Sequence, residues 1–254
     1  MELWTREHAI TVLPSLALSI VLTVILRALI GKKSEKIRMI PLQVVTVALF
    51  LLEVGKQAVS FSKGYDLYHI PLHFCSMILF TMPAMAFYRG KYESKVKTVA
   101  TTVCMAITGL MLIYPNIIYG AWNVDAMFKA YLDFHTVAFH NLVVCAFVLI
   151  VGLRLFTPEQ KAEKKAVLLF VIGYCVVAAS AAHILKVNFA NFYSSNVGPL
   201  EAIRISLQGV LGKFLIQILY VAFNSGLHIG FVFGCYMLLR VVRKRLSKTE
   251  TAIV

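Results

Sequence analysis

Seven stretches of predominantly apolar sequence recur along this chain, and nothing constrains its fold more. A helix that crosses a bilayer needs ~20 such residues, at ~1.5 Å of rise each, to span the hydrocarbon core. The windows fall at about 9–30, 39–61, 71–88, 96–119, 130–156, 164–187 and 208–240, and the third is the shortest. Only 15% of the 254 residues are charged and 59% are hydrophobic, where a soluble domain carries ~25% charged residues. The connections between windows are mostly short. The reading is an all-α, polytopic membrane bundle of about seven transmembrane helices, a single integral membrane domain over 1–254.

Basic residues orient such a bundle, because Lys and Arg are retained in cytoplasmic loops. The segments 31–38, 89–97 and 154–165 carry four each, and the tail from Arg240 carries five. The alternate segments hold only Arg6, Lys63, Lys129, Lys186 and Arg204. This asymmetry predicts the N-terminus outside and the C-terminus in the cytoplasm. It also accounts for the net charge of +13 without nucleic acid as a partner, since the charge is divided among the inner segments facing anionic headgroups. The opening MELWTREHAI lacks the basic region and cleavage site of a secretory signal, and Trp4 suits an interfacial anchor. Cys75, Cys104, Cys145, Cys175 and Cys235 lie one to a window with no Cys-x-x-Cys, so neither a disulfide framework nor a zinc ribbon is indicated.

Topology gives each polar residue a depth. His8, His69, His73, His135, His140 and His183 all fall in the outer half, whereas His228 lies near the middle of the last window. Glu53 and Lys56 also belong to the outer half, three apart on one helical face, where they can pair. Charged groups in a span cost ~2.5–3.5 kcal/mol on insertion scales and usually mark function; a structural ion pair between helices is the plainer reading.

The segment HIPLHFCS (69–76) sets two histidines and a cysteine at the head of the third window. Pro71 suits the first turn of a helix, which would put His73 and Cys75 in its first turns, where the helix dipole favours a thiolate. Residues two apart on a helix do not face each other, so His73 is a poor base for Cys75. His135 and His140 are better candidates, and their five-residue spacing lets only one face the thiol. The other cysteines read as small hydrophobes. A metal site from His73, Cys75, His135, His140 and His183 lacks the expected spacing and carboxylates, so no metal and no cofactor are expected. The outer segment 186–206, with Asn188, Asn191 and Tyr193, is either a substrate lid or a plain connector.

Pro-Leu-His-x-Cys opening the third span (IPLHFCS), His-x-x-x-x-His in a later one (FHTVAFHN) and the outer NFANFYSSNVGPL together resemble the bacterial YwaF-like integral membrane proteins. That family is related to animal transmembrane protein 164, a cysteine-dependent lysophospholipid acyltransferase, and more distantly to membrane hydrolases using Thr and His. The resemblance implies Cys75 as the acyl-accepting nucleophile, His140 as its base and a bacterial plasma membrane as location; it assigns no role to His135. One departure is Ser76, where the animal protein has a histidine.

Three functions compete. The first is acyl transfer between phospholipid and lysolipid through Cys75 and His140, with His73, His135, His183, Glu53 and Lys56 supporting. The second is a small transporter, flippase or channel using the same polar cavity. The third is a hydrolase using Thr136.

Overall fold

The structure is a computed structural model that describes residues 3–119, 127–156 and 161–252. Every regular element among them is helical. The helices are α1 (Arg6–Ile30), α2 (Glu35–Ser62), α3 (Met77–Phe87), α4 (Glu93–Ile113), α5 (Asn116–Tyr119), α6 (Tyr131–Gly152), α7 (Lys161–Leu185), α8 (Gly198–Leu211) and α9 (Lys213–Ala252). Six of them, α1, α2, α4, α6, α7 and α9, are long and apolar enough to cross a membrane.

The third window runs alongside the second, over a shorter distance. Gln57 Nε2 donates to the His69 carbonyl (2.8 Å), and Gln43 Nε2 donates to that of Ala86 (3.0 Å). The chain from His69 to Ala86 therefore descends beside fourteen residues of α2, ~21 Å at helical rise. That is about two-thirds of a ~30 Å hydrocarbon core. With this pass included, the start of α1 and the C-terminal half of α9 lie at opposite ends of the bundle.

Side-chain contacts fix the pairing. α2 runs antiparallel to α6, since Tyr131 Oη donates to the Leu52 carbonyl (3.0 Å) while Arg38 Nη1 caps the other end of α6 at Leu153 O (2.7 Å). α7 and α9 are likewise antiparallel, with Gln217 beside His183 and Lys164 over the Phe233 ring. α4 packs against α3, α6, α7 and α9 and forms the centre; Val103, Ala106 and Ile107 are fully buried there. Outward-facing Leu18, Val24 and Leu29 of α1 stay exposed, which suits a helix whose outer face meets lipid. Six of the histidines gather at the end bearing the N-terminus; Arg38, Arg89, Lys97 and Arg154 gather at the other.

Of the boundaries that differ from the sequence-based windows, three fall where the chain turns. The helical stretch within HIPLHFCS starts at Phe74, three residues after Pro71, because Ile70 is held extended before Pro71 (ψ 131°) and Leu72 N turns back to Ile70 O. The fourth window ends at Ile113: Tyr114 precedes Pro115 and leaves the helical region at φ −144°. The last window begins at Lys213, after Gly212 takes φ +81° and turns the chain out of α8.

α1 and α6 run side by side through a close contact in which Gly152 faces Thr23. A Cβ at Gly152 would overlap the Thr23 Cγ2 methyl, the small-residue approach that membrane helices use in place of hydrophobic drive. Gly152→Ala should cost ~1–3 kcal/mol through overpacking, read as a lowered Tm in detergent. Adding Thr23→Ser, which removes that methyl, should return most of the loss; no recovery would mean the contact is not what the alanine disturbs.

Candidate functional site

Cys75 sits in a 3₁₀ turn, Phe74–Ser76, that runs directly into α3, so it lies in the first turn of the helical stretch Phe74–Phe87 as expected, with Pro71 ahead of it. The half-buried thiol lies within electrostatic reach of three phenols: Tyr68 of the preceding turn, Tyr119 of α5 and Tyr174 of α7. Tyr174 Oη donates to Leu72 O (3.1 Å), which ties α7 to the entry of α3. Burial pushes the Tyr68 phenol up, and the neighbouring Cys75 and Asp66 act in the same direction.

His73 is held against the preceding turn. Its Nε2 donates to Tyr68 O (2.9 Å), and its ring lies 4.4 Å from Tyr68 and 5.4 Å from Phe189 between centroids. The two histidines of α6 take separate directions, as their spacing requires. His135 Nε2 approaches Glu53 Oε2 at 3.3 Å, an ion-pair distance without hydrogen-bond alignment. Glu53 also holds Lys56 (2.7 Å) and accepts from Gln57 Nε2 (2.6 Å), and Tyr65 Oη donates on to Gln57 (2.8 Å). The expected Glu53–Lys56 pair is thus the core of a five-residue network joining α2 to α6.

His140 turns the other way. Its Nδ1 lies 2.7 Å from Thr136 O; a carbonyl only accepts, so Nδ1 carries the proton and Nε2 keeps its lone pair. That Nε2 is buried and has no hydrogen-bond partner among the described residues. The ring stands edge-on to Tyr119, with centroids 6.3 Å apart. Tyr119 therefore touches His140 and lies within electrostatic reach of Cys75. It went unremarked in the sequence, where a tyrosine near a span end reads as an interfacial anchor. The Thr136 hydroxyl is committed to Leu132 O (3.0 Å).

His183 belongs to a different group. Its Nδ1 donates to Ala179 O (2.9 Å), and its Nε2 accepts from Gln217 Nε2 (2.9 Å), whose Oε1 accepts from Arg204 (2.8 Å). Arg204 in turn binds Glu201, and the guanidinium holds that carboxyl below the usual carboxylate range. Glu201 also accepts from Ser195 N (2.8 Å). This web anchors the 186–206 segment. Asn188 Oδ1 receives the amides of Tyr193 (3.2 Å) and Ser194 (3.1 Å), Asn191 O accepts from Tyr220 Oη (2.6 Å), and the Tyr193 ring stands 5.7 Å from that of His183. Phe189 and Phe192 are fully buried, Phe189 beside His73 and Phe192 stacked on His228. Its 189–192 turn is anchored in the bundle by these two rings and built on left-handed Ala190 (φ 47°) and Asn191 (φ 63°), while the start of α8 stays at the surface.

Among the described residues no group of three or more His, Cys, Asp or Glu side chains is placed to hold a metal ion. The arrangement instead offers a thiol among phenols, a neutral imidazole with an available lone pair, and a separate buried carboxylate.

Comparison with known proteins agrees with this architecture at the level of family. No curated protein and no solved structure matches the chain. The family model described as the TMEM164 family matches residues 3–202, most of the chain, and this multi-pass membrane protein belongs to that family.

Proposed function

We propose that the protein is a lipid acyltransferase of the membrane, moving a fatty acyl chain from a phospholipid to a lysolipid through a thioester on Cys75. The observation that carries this reading is the fixed tautomer of His140: Nδ1 is held by Thr136 O and Nε2 presents an unshared lone pair inside a buried site. Its neighbour Tyr119 also lies within electrostatic reach of the Cys75 thiol.

In the first half-reaction the thiol proton passes to His140 Nε2 as sulfur attacks the ester carbonyl. The tetrahedral intermediate collapses with cleavage of the C–O bond, and the departing lysolipid oxygen takes the proton from His140. In the second, an acceptor lysolipid hydroxyl gives its proton to His140 and attacks the thioester; the C–S bond breaks and the sulfur is reprotonated. No cofactor takes part. With the basic end in the cytoplasm, the site opens toward the outer leaflet, which makes another phospholipid a more accessible donor than a soluble cytoplasmic thioester. The 186–206 segment, through Asn188, Asn191 and Tyr193, is the one that would admit the lipid.

Buried Glu53, Lys56 and His135 favour the rival reading, a transporter or channel, since intramembrane ionisable groups line such paths. Thiol chemistry separates the two. A small thiol-reactive probe applied to membranes across a pH series should label Cys75 faster than an ordinary buried thiol, and His140→Ala should slow it at least tenfold. Labelling indifferent to His140 would overturn the enzyme reading and leave transport.

A further inference from the structure

The first turn of α1 brings a second histidine to Tyr119. His8 is fully buried (0% exposed), and its ring stacks on Tyr119 with centroids 5.6 Å apart and planes within 23°. It also closes a capping box: Thr5 Oγ1 accepts from His8 N, and Thr5 N donates to His8 Nδ1 at 3.1 Å. A backbone N–H can only donate. Nδ1 of His8 must therefore accept, and the ring proton sits on Nε2. That Nε2–H has no hydrogen-bond partner among the described residues.

Tyr119 is thus flanked by two buried imidazoles of opposite character. His140 presents a bare lone pair and His8 a bare N–H, each fixed by a backbone partner on its other nitrogen. The cap explains one nitrogen of His8 and leaves the other unexplained; buried polar atoms are otherwise almost always paired. A donor fixed in advance in a site without water is what stabilises charge developing on a carbonyl oxygen.

We propose that His8 is the oxyanion donor of the acyl-transfer site: its Nε2–H hydrogen-bonds the acyl carbonyl oxygen of the lipid ester, and again that of the thioester. This rests on the acyltransferase reading. As Cys75 sulfur bonds to the carbonyl carbon, the C=O π pair moves onto oxygen. The His8 proton stays on Nε2 throughout, while the thiol proton travels to His140. The ligand class is a carboxylic ester presented from the membrane, not a free acid.

Substitutions at position 8 test this in full-length protein. The assay uses proteoliposomes of phosphatidylethanolamine and phosphatidylglycerol with an isotopically labelled oleoyl donor and lysophosphatidylethanolamine. His8→Phe keeps a ring against Tyr119 but has no donor, and should lower turnover about 10²- to 10³-fold. It should leave the Cys75 labelling rate unchanged, because the thiol and its base are intact. His8→Gln, the usual capping-box residue, caps Thr5 through its oxygen and keeps an N–H, and should recover at least tenfold over His8→Phe. If Cys75→Ala and His140→Ala abolish transfer while His8→Phe turns over like the unsubstituted protein, the role of His8 is overturned and the enzyme reading stands. Equal losses in His8→Phe and His8→Gln, with slowed labelling in both, would make His8 a packing residue. Undiminished transfer in Cys75→Ala would overturn both proposals.

Discussion

Cys75→Ala should remove acyl transfer to lysolipid altogether, a loss of at least about 10³-fold, because no other group near the carbonyl can carry the acyl chain. Cys75→Ser should do almost as badly, since a hydroxyl is far harder to deprotonate than a thiol. His140→Ala removes only the base, so its cost is smaller, about 10²- to 10⁴-fold, the usual worth of general base catalysis. The informative variant is the pair. If sulfur and imidazole act in one step, Cys75→Ala with His140→Ala should be no worse than Cys75→Ala alone, because residues acting as a unit are non-additive. Without lysolipid acceptor, the unsubstituted protein should accumulate an acyl-enzyme that releases its chain to hydroxylamine. Donor turnover that continues in Cys75→Ala, or a chain retained under hydroxylamine, would exclude a Cys75 thioester.

What the sequence made legible follows from the bilayer. Hydrocarbon enforces long apolar helices, so the long spans could be read directly, and the alternation of passes assigned depth to residues distant in sequence. That is why Glu53 of α2 and His135 of α6 could be put in the same half of the membrane before any contact between them was visible, and they meet at 3.3 Å. Three of the misjudged boundaries lie where the chain turns. Pro71 reads equally well as a first helical turn or as the end of an extended segment, and the choice depends on the Ile70–Leu72 turn. The site itself was legible only in part. Helix spacing showed that His135 and His140 diverge but not which one meets a carboxylate. Tyr119 and Gln217 carry no pattern at all, since their importance comes from the helices that happen to pack beside them. His183 shared the depth of the others, yet packing on α9 draws it into the web of Gln217 and Arg204.

Glu53→Ala should be the most destabilising single change in the molecule, at ~3–5 kcal/mol, because it leaves the Lys56 ammonium buried with no counter-charge. Both side chains are nearly inaccessible, 13% for Lys56 and 9% for Glu53, so solvent offers little compensation. A loss of that size lowers Tm in detergent by about 10 °C or more. His135→Ala should cost much less, since Glu53 retains Lys56 and Gln57. Removing the charges together separates architecture from function: apolar replacement of a buried pair is often neutral or stabilising, so Glu53→Leu with Lys56→Met should regain most of the lost Tm. A double variant that melts like the unsubstituted protein and still transfers acyl chains makes the pair a strut between α2 and α6. One that folds but has lost transfer makes it part of the site, acting through the field that Lys56 and His135 impose on His140. A double variant no more stable than Glu53→Ala would mean that the glutamate holds the fold through Gln57 and its contact to the His69 carbonyl, and that the ion pair is incidental.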